Sequence, residues 1–236
     1  MNANTRKVLL DLNKKFYIDT ADDFSKSRGI PWAGWQRVIE YFKDLPFDPK
    51  ALIDLGCGNG RFIEYVRKYY PDLTATGVDS SKQLLKIAEE KNPNTEFLQK
   101  DLTLDLKLNK KFDFVALIAV LHHIPGSEKR AELITKSAQL LTNKGKMLAT
   151  FWNLDTQPEL LDRRLPFSTV GIKEEECETG DYLLTWNNDE KLVRYVHSFT
   201  QEEAEQLMTQ AELKIEKTYK ADGRSGDSNY YIIASV

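Results

Sequence analysis

Ala51-Leu52-Ile53-Asp54-Leu55-Gly56-Cys57-Gly58-Asn59-Gly60 is a short apolar run that breaks into a glycine turn. The run has the length of a buried strand, and Phe62, Ile63, Val66 and Tyr69 after it repeat at helical spacing. A strand passing through glycines into a helix brings main-chain N–H groups and the positive end of the helix to one point. Asp79 follows Gly56 by 23 residues, at the end of the next apolar run, where a carboxylate can grip a ribose. The dinucleotide pattern G-x-G-x-x-G would need glycine at position 61, which is Arg61. The spacing is instead D-x-G-x-G-x-G.

The rhythm continues outward from this turn. Leu73 to Val78 reads as a second strand, and Asp79-Ser80-Ser81 as the cap of a helix carrying Leu84, Leu85, Ile87 and Ala88. Thr95 to Leu98 is a brief third strand. Phe112 to Val120 is a fourth, apolar enough to be covered on both faces. Ser127 opens a helix, Asn143-Lys144-Gly145 turns the chain, and Lys146 to Trp152 is a fifth strand. Alternation of this kind gives a parallel sheet with crossover helices. Thr200-Gln201-Glu202-Glu203 is a capping box, and Leu213 to Tyr219 and Tyr230 to Val236 close the sheet as an antiparallel pair.

The expected organisation is one domain, 1–236. It divides into a helical N-terminal segment 1–49, a cofactor-binding core 50–152, an insertion or lid 153–190 and a closing segment 191–236. Lys+Arg 33 against Asp+Glu 36 excludes a broadly basic nucleic-acid coat and leaves room only for a local basic face. Two cysteines are too few for a disulfide scaffold or a zinc site, so a reducing, cytoplasmic setting is expected. The acidic run Glu174 to Glu176 lacks a ligand histidine and reads as a solvated loop; no metal is expected.

Loop, acid and strand order together resemble the class I methyltransferases that use S-adenosylmethionine (AdoMet). The resemblance implies a Rossmann-like α/β fold with a mixed, mostly parallel seven-stranded sheet and helices on both faces. It implies that Asp54, Gly56, Gly58 and Gly60 hold the methionine end of the cofactor, Asp79 the ribose, and Asp101 with Leu102 the adenine. Further stretches are similar to one branch of that family, the tRNA methyltransferases that esterify 5-carboxymethyluridine at the wobble position. These are Phe16-Tyr17 through Arg28, Pro31-Trp32, His122-His123 and Arg194-Tyr195-Val196-His197. The insertion is shorter and more acidic than in the eukaryotic members, and Tyr230 and Tyr231 stand where those carry Trp.

From this branch come an expected acceptor, tRNA, and a small zinc-containing activator as partner. Arg28 and His123 are the expected catalytic pair. Arg28 can clamp a carboxylate or phosphate with its planar fork. Tyr17 and Trp32 stack on a base, cover the cofactor or pack as core. His122 faces either the crevice or the interior. Arg194, Tyr195 and His197 form either an acceptor-side patch with Lys220 and Arg224 or a plain strand edge. Two other readings stay open: a small-molecule O- or C-methyltransferase, and a non-catalytic scaffold, against which the intact glycine loop and Asp79 argue.

Overall fold

The computed structural model describes residues 1–26, 30–104, 106–187 and 189–236. The chain starts with helices α1 (Ala3–Lys26) and α2 (Ala33–Lys43), then alternates β1 (Ala51–Leu55), α3 (Arg61–Arg67), β2 (Thr74–Asp79), α4 (Lys82–Lys91) and β3 (Glu96–Gln99). Next come β4 (Phe112–Leu117), α5 (Ser127–Ala138) and β5 (Leu141–Trp152). A short α6 (Pro158–Leu161) leads into β6 (Arg164–Leu165), β7 (Asp181–Trp186) and β8 (Asp189–His197). Helix α7 (Gln201–Gln210), β9 (Lys214–Ala221) and β10 (Asn229–Ser235) complete it.

Seven strands form one sheet in the order β3-β2-β1-β4-β5-β10-β9. Pairing is parallel from β3 to β5, and β10 runs antiparallel to both of its neighbours. Strand β4 sends Val115 and Leu117 to one face and Phe114 and Ala116 to the other. Helices α5 and α7 cover the first face through Leu133, Ile134, Leu207 and Met208. Helices α2 and α3 cover the second through Trp35, Val38, Phe42, Phe62 and Ile63. Two covered faces explain why β4 has no polar alternation, and each such side chain contributes about 1.5–3 kcal/mol by leaving water.

Three details depart from the sequence expectation. Strand β4 stops at Leu117 rather than Val120, because Ala119 turns the chain at φ +57° with its N–H on the Thr150 hydroxyl, 2.8 Å away. Positive φ on a residue with a Cβ is costly, and here it swings the following turn over the strand ends. The Asn143-Lys144-Gly145 turn is a bulge within β5, whose pairing jumps from Leu141 to Lys146 opposite Phe112 and Phe114. Finally, β8 spans the expected 190/191 boundary. Strands β6, β7 and β8 make a separate antiparallel sheet, so Arg194, Tyr195 and His197 belong to the inserted layer. Its Leu183 and Tyr195 pack with Leu9 of α1, and its Leu184 and Val196 with Leu154.

Candidate functional site

The carboxyl ends of β1, β2 and β4 border the point where the strand order reverses, between β1 and β4, which is where sheets of this kind bind ligands. A cavity of about 470 Å³ opens there, within the range of small-molecule sites. One wall is the glycine loop. The N–H groups of Gly56 and Cys57 both bond the Val78 carbonyl, at 2.7 and 3.0 Å, which ties the loop to the end of β2. Gly56 (φ +78°) has no room for a Cβ, which would stand 2.3 Å from the Val120 side chain. Gly58 (φ +54°) is different, because among the described residues a Cβ there would meet no atom within 4 Å. Its missing side chain leaves the wall open for a ligand.

Acids frame this wall. Asp79 accepts the N–H of Gly58 at 2.9 Å and of Ser81 at 2.8 Å, and borders the cavity. Burial raises its pKa against those main-chain hydrogen bonds. Asp54 lies beneath the loop, and burial, reinforced by the Asp79 charge and opposed by Arg61, pushes its pKa up to about 7. Asp101 and Leu102 also line the cavity. Burial pushes the Asp101 carboxyl up, but hydrogen bonds from Thr103 and the charge of Lys14 outweigh it and hold the group below its usual range. Cys57 packs beside Gly77, and burial lifts its thiol well above its usual pKa.

These residues fit AdoMet. Open backbone at Gly58 admits a methionine chain, an acid near neutrality at Asp54 suits an ammonium group, and Asp79 offers carboxylate oxygens to a ribose. AdoMet would thus be held by Asp54, Gly56, Gly58, Asp79, Asp101 and Leu102. Gly60 stands one step back: it precedes α3 and a Cβ on it would strike Asn92 at 2.6 Å.

The opposite wall is helix α1. Arg6, Leu10, Asn13 and Tyr17 recur every three or four residues and face the cavity. Tyr17 meets His123 across it, with hydroxyl oxygen and Nε2 2.6 Å apart. The other ring nitrogen, Nδ1, is 3.2 Å from the Tyr195 carbonyl, which can only accept. Nδ1 therefore carries a proton, and the neutral ring accepts the Tyr17 hydroxyl at Nε2. Asn13 locks this arrangement: its side chain receives the Tyr195 N–H at 2.8 Å and donates to the His123 carbonyl at 3.2 Å. Lys14, on the same helix, reaches Asp101 at 3.4 Å.

Tyr17, Trp32 and His123 thus share the cavity with the cofactor wall. Trp32 and Trp35 flank the Arg61 guanidinium, 4.9 and 4.7 Å from their ring centres. Arg28 lies outside the described residues. The other acceptor-side expectations are placed elsewhere. His122 is buried behind His123, its ring stacked on Trp152 with centres 4.5 Å apart and 4.1 Å from the His123 ring centre. Arg194 is buried among the rings of Phe16, Trp152 and Trp186, and so joins no surface patch with Lys220 and Arg224. Tyr195 and His197 turn their side chains to Asp181, and only the Tyr195 main chain touches the site.

Sequence reading missed Asn13, Asp181, Glu203 and Arg130. Asn13 had a signal, as a polar residue one turn before Tyr17 on the apolar face of α1. Glu203 reads from sequence as half of a capping box. Its N–H does bond the Thr200 hydroxyl, but its carboxylate goes to His197 and Arg130.

Residues 31–218 match the protein family described as "Methyltransferase domain". The chain is 35% identical over 142 residues to the Saccharomyces cerevisiae tRNA (carboxymethyluridine(34)-5-O)-methyltransferase, covering 60% of this chain and 48% of that protein. It is 30% identical over 147 residues to the malonyl-[acyl-carrier protein] O-methyltransferase of Halalkalibacterium halodurans, covering 59% of this chain and 53% of that one. The chain thus spans about half the length of these curated relatives. Among solved structures, an S-adenosylmethionine-dependent methyltransferase from Clostridium acetobutylicum superposes with a TM-score of 0.67 at 15% identity, over 93% of this chain and 98% of that one. Among the described residues, no helix is long and apolar enough to cross a membrane.

Proposed function

The chain belongs to the methyltransferase-domain family, and from that premise we propose that it methylates the carboxylate of a carboxymethylated wobble uridine in tRNA. The observation that carries this reading is the likeness to the yeast enzyme, whose name states that acceptor. The Halalkalibacterium relative supports the same chemistry, since malonyl and carboxymethyl groups each end in a carboxylate that receives the methyl on oxygen. A carboxylate is ionised near neutral pH and needs no strong base.

AdoMet, when bound, supplies the electrophilic methyl group. The chain's own task is to hold an anion in line with it and to keep water out. Helix α1 roofs the cavity, with Lys14 closing onto Asp101. The Tyr17 hydroxyl and the His123 imidazole, fixed in one tautomer, border the space left for the acceptor. Arg28 is the proposed clamp on the carboxylate or an adjacent phosphate. Arg28→Ala should leave AdoMet affinity unchanged and lower kcat/KM for tRNA by about 30- to 1,000-fold, the loss of one charged contact in the transition state.

Nucleoside analysis of tRNA incubated with labelled AdoMet tests the reading. Label that mild alkali releases as methanol supports the ester, whereas alkali-stable label on base or ribose refutes it. The malonyl relative favours one second reading, a small or carrier-bound carboxylate acceptor. Label in a malonyl thioester and none in tRNA would select it. The small zinc-containing activator stays part of the proposal. Full activity of the isolated chain, unchanged when such a protein is added, would remove it.

A further inference from the structure

A buried ionic cluster that the transfer chemistry does not use stands behind His123. Asp181 of β7 accepts the Tyr195 hydroxyl at 2.6 Å, the His197 Nδ1–H at 2.7 Å and the Glu178 N–H at 2.8 Å. His197 turns Nε2 to the Glu203 carboxylate of α7, 3.0 Å away. Arg130 of α5 gives Nη2 to Glu178 at 2.7 Å and to Glu203 at 3.3 Å, and Nη1 to the Ile124 carbonyl at 3.1 Å. The side chains of Arg130, His197 and Asp181 are 1%, 1% and 0% exposed.

Carboxylate oxygens only accept, so a ring set between two of them donates from both nitrogens, and His197 is an imidazolium. Two cations then balance three carboxylates to within one charge, which is what burial of such a group demands. Burial alone would lower the pKa of His197, but Asp181 and Glu203 outweigh it and raise the group above its usual value. Glu178, Asp181 and His197 lie close enough to ligate a cation, but the Arg130 guanidinium already supplies positive charge to Glu178 and Tyr195 and Glu178 donate to Asp181.

The cluster grips His123 from two sides. Tyr195, anchored by its hydroxyl on Asp181, presents its carbonyl to His123 Nδ1, and Arg130 holds the carbonyl of the next residue, Ile124. We propose that Asp181, His197 and Arg130 are positioning residues, a brace that fixes the His123 ring and its Nε2–Tyr17 pair at the acceptor side of the cavity. Tyr195 and His197 then serve the reaction through His123 rather than by touching substrate. This deepens the acceptor reading and rests on it only for its kinetic consequences.

The chain has three histidines, so histidine-selective ¹⁵N NMR on the full protein resolves each ring. At pH about 7.5, His197 should carry protons on both nitrogens and His123 on Nδ1 alone. In His197→Gln the amide can donate to only one carboxylate. His123 should lose its single tautomer and kcat should fall about tenfold, with AdoMet affinity and the KM for tRNA within about threefold. Adding Glu203→Gln restores a donor–acceptor match and should recover kcat about threefold, which a merely unstable variant would not do. Should His197→Gln not fold, Tyr195→Phe, which deletes one hydroxyl, should produce the same His123 change at smaller amplitude. A neutral His197 in the wild type, or unchanged His123 signals and kcat in a folded variant, overturns the brace. If the wild type methylates no tRNA, the acceptor reading fails, and the NMR arm still decides the brace.

Discussion

The two walls of the cavity are built by different means. The glycine wall is local: the N–H groups of Gly56 and Cys57 bond the end of the next strand, and Asp79 closes the unit on the Gly58 N–H. The cover wall is assembled from distant segments by side chains. Asn13 bonds His123 across 110 positions of sequence and Tyr195 across 182. The first wall depends on what the backbone can do, and the second on where tertiary packing delivers a few polar atoms. Substitutions in the first should therefore act on cofactor affinity, and substitutions in the second on turnover and stability.

Gly58→Ala is the strongest test of that division. Among the described residues its Cβ meets no atom within 4 Å, so folding should lose about 1–2 kcal/mol, the left-handed strain of one residue. The same Cβ projects into the space a cofactor needs, and AdoMet affinity should fall by about 100-fold, an overlap of about 3 kcal/mol. Calorimetry giving wild-type affinity would move the ligand off this wall. Asp79→Ala comes next, with a loss of about 1.5–3 kcal/mol of AdoMet affinity for a hydrogen-bonding charged group. Tight binding of NAD instead of AdoMet would break the assignment of the wall altogether.

On the cover side, Asn13→Ala strands the buried Tyr195 N–H, which should cost about 1–3 kcal/mol of stability. Melting should drop by about 2–4 °C per kcal/mol in a chain of this size. Turnover should fall about tenfold while the dissociation constant of AdoMet stays within about threefold. Equal losses in both would mean that α1 belongs to the cofactor wall, and the two-wall division would be wrong.

The contrast also explains what could be read from sequence. Gly56, Gly58 and Asp79 are legible because a turn between strand and helix admits few residue types, and their spacing follows from the lengths of α3 and β2. The run of parallel strands with crossover helices follows from the same alternation of elements, whereas the order of the strands does not. His197 and Arg194 were legible as unusual residues but not as buried ones, because nothing local says that Asp181 or the rings of Phe16 and Trp186 will come to meet them. The strand ending at Leu117 was hidden because Ile118, Ala119 and Val120 are as apolar as the strand itself. Where the chain turns, the Thr150 hydroxyl of β5 receives the Ala119 N–H, a partner that no local pattern announces.

The smallest expected effect concerns the acid beneath the glycine wall. Asp54 titrates at an ordinary acidic value when unfolded, whereas in the folded protein burial, then the Asp79 charge, push it up to about 7. The folded state therefore binds the extra proton, and the stability this contributes is complete below the unfolded value and lost as pH rises through about 7. A cofactor ammonium beside the group favours its ionised form, so binding has to release that proton. Ionisation rises from about one-tenth at pH 6 to nine-tenths at pH 8, and AdoMet affinity should rise about tenfold over the same interval before levelling. Calorimetry in two buffers of different ionisation enthalpy would count the proton released near pH 7. Asp54→Asn should flatten the profile and hold affinity near its low-pH level. A flat wild-type profile with no proton released would mean that Asp54 does not meet the ammonium group. The acid would then be part of the loop's own construction, and the glycine wall would recognise the cofactor through backbone and Asp79 alone.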